Sequence, residues 1–100
     1  MAKLRVFSAY DGKLSVFMTP FVFIHLGQAL RAWEDLCLDN KSMMSKHPSD
    51  FILYEVGEFD EDSGVIVAHN PIRQVATALE VVKRATAQAD MFSKSDGNVR

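Results

Sequence analysis

Leu4 to Tyr10 is a short run rich in β-forming residues that stops at Asp11-Gly12, the strongest short-range signal for a hairpin turn. A return strand over Lys13 to Thr19 follows from that turn. With two residues in the turn, Phe7 faces Val16 and Ala9 faces Leu14 on an apolar side, while Ser8 faces Ser15 and Tyr10 faces Lys13 on a more polar one. Pro20 cannot donate to a ladder and ends the pairing, and Phe21 to Ile24 is a brief apolar extension. From Leu26 the apolar residues recur at Ala29, Leu30, Trp33, Leu36 and Cys37, the stripe of an amphipathic helix that ends near Asp39-Asn40. Gln28, Arg31, Glu34 and Asp35 take its other side.

Residues 40–50 read as a loop or a broken helical turn. A third strand runs from Phe51 to Glu58, an acidic turn from Asp60 to Gly64, and a fourth strand from Val65 to Ala68. Asn70-Pro71 has the form of a helix N-cap followed by proline at the first helical position, and Ile72, Val75, Ala76, Leu79 and Val82 continue it as a second helix fading by Ala89. The polar stretch 93–100 reads as a disordered tail, leaving residues 1–92 as one domain. The expected architecture is α+β in the order ββαββα, an antiparallel sheet of two hairpins with two helices on one face. Weak internal recurrence runs through it. Tyr10-Asp11 and Phe59-Asp60 open the turns, Pro20 and Pro71 close the return strands, and an Ala-Leu pair lies in each helix (Ala29-Leu30, Ala78-Leu79).

One hundred residues, 48% of them apolar, suffice for a modest core of a size at which a second subunit often helps, so a homodimer is expected. A single cysteine, Cys37, excludes an intramolecular disulfide and suits a reducing compartment. No apolar run approaches the length of a membrane span, so a soluble protein that is not secreted is expected.

Catalysis finds no constellation here, and the chain reads as a non-enzyme without cofactor or metal. His25, His47 and His69 stand 22 residues apart, far from metal-ligand spacing. Asp60-x-Asp62-x-Gly64 looks like the opening of a calcium loop but lacks the glutamate and the flanking helices of one, so it reads as a solvated hairpin tip. Cys37 lies on the apolar stripe beside Glu34 and reads as a buried, inert thiol.

The net charge of −2 disfavours strongly electrostatic binding of nucleic acid, but the charge is segregated. Lys3, Arg5, Lys13 and Arg31 face only Asp11 in the first 31 residues, whereas the next 31 hold nine acids against Lys41 and Lys46. A basic first hairpin can present a local positive face on an acidic protein. On its polar side Tyr10 and Phe17 are the aromatic residues placed to stack bases beside Lys13, with Lys3 and Arg5 at the edge. The basic pair Lys46-His47 and the cation Arg73 are further candidates for phosphate contact; the plainer reading of Lys46-His47-Pro48 is a turn made rigid by proline and capped by Ser49 or Asp50.

The stretch Lys46-His47-Pro48-Ser49-Asp50-Phe51, followed by Gly57-Glu58-Phe59-Asp60, combines with Tyr10-Asp11, Pro20-Phe21 and Ala29-Leu30-Arg31 in a specific order. In these motifs, from about Leu4 to about Leu79, the chain resembles the small nonstructural protein of gokushoviruses, the single-stranded-DNA microviruses of bacteria. The resemblance implies a viral accessory protein of the host bacterial cytoplasm, absent from the virion and described as DNA-binding. Two functions follow as expectations. One is binding of single-stranded DNA with little sequence preference during phage genome replication or packaging. The other is an interaction module that docks on a viral replication or capsid-assembly protein without affinity for nucleic acid.

Overall fold

The computed structural model describes residues 3–99, with side chains up to residue 89. Its elements are β1 (Lys3–Asp11), β2 (Val16–Phe17), β3 (Phe21–Phe23), α1 (Leu26–Leu38), α2 (Met43–Lys46), a 3-10 turn (Pro48–Asp50), β4 (Phe51–Asp60), β5 (Ile66–Thr77) and α3 (Ala78–Val99). The fold is α+β: a five-stranded antiparallel sheet with three helices. β1 and β4 lie at its centre and pair over their whole length, from Lys3 opposite Asp60 to Asp11 opposite Phe51. β2 and β3 follow one another along the free edge of β1, and β5 borders β4.

The alternation of β1 and β4 sets the two faces. Phe7 and Ala9 with Phe51 and Leu53 point to the helices, where Ala29, Trp33 and Cys37 of α1 and Ala78 and Val81 of α3 close the core. Phe21 and Phe23 extend it, their rings 6.0 and 6.5 Å from that of Phe7. The opposite face, with Val6, Ser8, Tyr10, Ile52 and Tyr54, has no helix over it. Val6 is buried there, outside the helix-side core.

The first hairpin departs from the expected register. The Asp11 carboxylate accepts from the amides of Lys13 (2.9 Å) and Leu14 (3.3 Å), which opens a four-residue loop over 12–15 and places Ser15 at φ 58°. The pairing becomes Tyr10 opposite Phe17 and Asp11 opposite Val16, instead of Tyr10 opposite Lys13. Phe7 accordingly faces Phe21 on β3 and not Val16. Pro20 does interrupt the pairing, but the strand resumes beyond it, so Phe21–Phe23 belongs to the sheet.

The second correction is larger. β5 does not stop at Ala68, and no helix starts at Asn70-Pro71; the strand continues to Thr77, with that peptide bond cis. Residues 69–72 bulge out against Val56, between the pairs Gly57–Ala68 and Glu55–Arg73, which accommodates the proline without breaking the strand. The helix is initiated at Thr77, whose hydroxyl accepts from the Glu80 amide (3.1 Å) while the Glu80 carboxylate accepts from the Thr77 amide (3.0 Å). This is a capping box, spelled Thr77-Ala-Leu-Glu80. Ile72, Val75 and Ala76 are therefore strand residues. The helical backbone of α3 extends past Ala89 to Val99; side chains of the expected tail, 93–100, lie outside the described residues.

Cys37 is fully buried on α1. Burial pushes its thiol up to about 11, with the Glu34 carboxylate adding to the shift. The folded state thus holds the thiol proton more tightly than the unfolded chain does. Stability from this group is complete below the ordinary thiol value near 9 and declines as pH rises from there toward about 11. Iodoacetamide at pH 8 should modify Cys37 only after denaturation, followed by intact mass; rapid labelling of the native protein would contradict a packed, protonated thiol.

Candidate nucleic-acid interface

The sequence candidates divide into three places. At one end of the sheet, Tyr10 on β1 and Phe17 on β2 are cross-strand partners on the helix-free face. Their ring centroids are 4.8 Å apart, and Tyr54 of β4 joins them at 6.5 Å from Tyr10 and 5.7 Å from Phe17. Phe17 is 48% exposed. Tyr54 was not among the residues singled out from sequence, although its alternation with Leu53 and Glu55 would have marked the face it shares with Tyr10.

Around the same end runs an open groove of about 350 Å³, lined by Asp11 at the end of β1, by Lys13 and Leu14 from the β1–β2 loop and by Met43, His47, Asp50 and Phe51. The loop is fastened there by the Gly12 amide, which donates to the Asp50 carbonyl at 2.7 Å. This bond brings Lys13 beside His47 across more than thirty residues of sequence. Lys46, at the end of α2, is exposed next to His47. Tyr10, Phe17, Lys13, Lys46 and His47 are thus gathered at one end of the molecule.

Lys3 is not with them. It starts β1 opposite Asp60 and lines a small pocket with Glu58 and Asp60, seven residues or about 23 Å along the strand from Tyr10. Arg5 and Arg73 meet at a third place, on the helix-side face, where both approach the buried Glu55 carboxylate at 3.7 and 3.8 Å. Arg73 is a strand residue paired with Glu55, and not a helical one. The His69 Nε2–H donates to Glu55 Oε2 at 2.7 Å. Neither Glu55 nor His69 carried a distinguishing sequence signal, because their meeting depends on the bulge in β5.

Among the described residues no group of three His, Cys, Asp or Glu side chains is placed to hold a metal ion, and no helix is long and apolar enough to cross a membrane.

The family model for the phage ORF5 protein matches residues 4–81. The chain belongs to the phage ORF5 protein family. That match takes in all five strands, α1 and α2 and the first turn of α3, and so includes the ring cluster, the Lys13–His47 groove and the Glu55 site of this ORF5-family chain. No curated protein and no solved structure matches it.

Proposed function

We propose that this phage protein is a nonstructural, non-enzymatic factor of the gokushovirus type. It binds single-stranded DNA with little sequence preference and acts in genome replication or packaging in the host bacterial cytoplasm. The observation that carries the reading is the ring cluster of Tyr10, Phe17 and Tyr54, with Phe17 half-exposed and the two tyrosines partly buried, next to the loop and groove that present Lys13, Lys46 and His47. Aromatic faces accept any base, and each stacked base adds about 1–3 kcal/mol, so such a surface binds without reading sequence. A few cations then hold the backbone, which suits a protein whose net charge of −2 forbids extensive phosphate neutralisation.

A second reading has its own support. The helix-free face is apolar beyond the rings, with Val22 47% and Ile66 65% exposed, and a surface of that kind suits a protein partner or a second copy of the chain. A homodimer formed around Val22 and Ile66 leaves the ring cluster free. In this reading the protein docks on a replication or capsid-assembly protein.

Fluorescence anisotropy of labelled single-stranded and duplex oligonucleotides at two salt concentrations separates the two. The expected result is preference for single strands with a shallow salt dependence. Tyr54→Ala and Tyr10→Ala should each weaken binding roughly 5- to 150-fold without changing the salt slope. Lys13→Ala should lower the slope by about 0.7. Absence of binding by the wild-type protein at low salt, with light scattering showing a dimer, would replace this reading with the interaction module.

A further inference from the structure

Glu55 is the one charged side chain that is buried among the described residues, 5% exposed, and it is surrounded by three basic groups from two strands. In a regular strand His69 and Arg73 would stand about 13 Å apart, too far to reach one carboxylate. The bulge over 69–72 folds that distance away. Arg5 comes from the other side, on β1, where alternation puts it on the same face as Phe7, the partner of Glu55.

The two kinds of contact differ. His69 makes the short hydrogen bond, 2.7 Å, and is itself nearly buried. Arg5 and Arg73 stand off at 3.7 and 3.8 Å, with side chains 41% and 65% exposed, and neither guanidinium donates a hydrogen bond among the described residues. Ion pairs this long and this exposed add little to stability. His69 hydrogen-bonds one oxygen of the carboxylate, Oε2, while Arg5 and Arg73 face Oε1 and Oε2 beyond hydrogen-bond distance, so the arginines are oriented by Glu55 while their donors remain available. Glu58, across from Arg5 on the same face, makes no ion pair with it. Two planar five-donor forks converging on one point, two cations against one buried anion, have the form of an oxyanion receptor.

We propose that Arg5 and Arg73 form a phosphate clamp, preset by Glu55, that takes a phosphodiester of a bound single strand. The proposal rests on the nucleic-acid reading above, but its residues are separate from the ring cluster and can be tested apart from it. The probes are a labelled oligothymidylate and an abasic sugar-phosphate oligomer of equal length, titrated at several salt concentrations. The Arg5→Gln/Arg73→Gln double variant should bind both probes at least tenfold more weakly at low salt. Its salt slope should fall by about 0.7, the value for one phosphate contact on a single strand. Arg5→Lys/Arg73→Lys should keep most of the slope yet lose affinity, because lysine retains the charge and loses the fork. Both variants change exposed side chains, and thermal melting checks that they stay folded.

If the wild type binds oligothymidylate and the glutamine variant matches it in affinity and slope, the clamp is wrong and the nucleic-acid reading stands. If the wild type binds neither oligomer, the nucleic-acid reading fails. Calorimetry with inorganic pyrophosphate then decides the clamp: binding lost in the glutamine variant keeps it as a site for free phosphates, and no binding overturns it.

Discussion

Trp33→Ala is expected to cost about 3–5 kcal/mol of unfolding free energy, a large share of the roughly 5–15 kcal/mol that holds a domain of this size together. Trp33 is 2% exposed and is the largest of the fully enclosed side chains. It sits where α1 meets α3 and the end of β5, beside Val75, Ala76 and Val81. Its indole N–H has no hydrogen-bond partner among the described residues, a defect that lowers the net gain from burying the ring. Trp33→Phe should consequently be much milder than Trp33→Ala, since it deletes the unpaired donor together with part of the volume. Urea unfolding of the three proteins checks both statements. A phenylalanine variant as damaged as the alanine variant would mean that the indole nitrogen is not a liability.

Gly57→Ala should be severe for the opposite reason, too much volume in place of too little. A Cβ built at Gly57 falls 2.5 Å from the Val67 carbonyl oxygen and 3.3 Å from the Ala68 Cα. Those are backbone atoms of the neighbouring strand, so no side-chain rotation relieves the clash. β4 and β5 must separate next to the bulge, at a cost of about 1–3 kcal/mol or more. The damage should reach the Glu55 site as well, which lies two residues away and depends on the same bulge. Denaturant titration measures the first effect. Gly64→Ala makes a useful contrast: open space surrounds Gly64, and the φ of 75° alone should penalise the substitution. A Gly57→Ala protein as stable as wild type would show that the strands are not so closely held there.

The elements most legible in the chain are those whose periodicity is unambiguous. The α1 stripe from Leu26 to Cys37 predicts a helix that runs Leu26–Leu38, and the β-forming runs after Lys3 and from Phe51 predict the two central strands. Misreadings arose where a local signal had two physical outcomes. Asp11-Gly12 favours a two-residue turn, but the Asp11 carboxylate captures the amides of Lys13 and Leu14 and so sets a longer loop. The Asp60 carboxylate does the same with the amides of Asp62 and Ser63, so the recurring aromatic-Asp pairs mark a shared turn geometry. Asn70-Pro71 fits a helix start and also a strand bulge. The apolar Ile72, Val75 and Ala76 suit either, and the stronger capping signal lay seven residues later at Thr77 and Glu80.

Of the candidate site, the grouping of Tyr10, Phe17 and Lys13 followed from their nearness in sequence. The arrival of Tyr54 and His47 did not, because it depends on the pairing of β1 with β4 and on the bond from Gly12 to Asp50. The Arg5–Glu55–Arg73 convergence was hidden for a similar reason: it needs an irregularity in the β4–β5 ladder that no periodic pattern announces.

The central position of β1 and β4 also bears on how the chain is made. β1 leaves the ribosome well before its long partner, which begins only at Phe51. Until then the nascent chain holds a strand with one open edge and an aromatic-rich cluster around Phe7, Phe21 and Phe23 that the second half has not yet covered. Such an intermediate is prone to pair with other chains, and its lifetime is set by the time needed to synthesise the remaining strands. Elongation rate over the middle of the message then becomes a determinant of soluble yield.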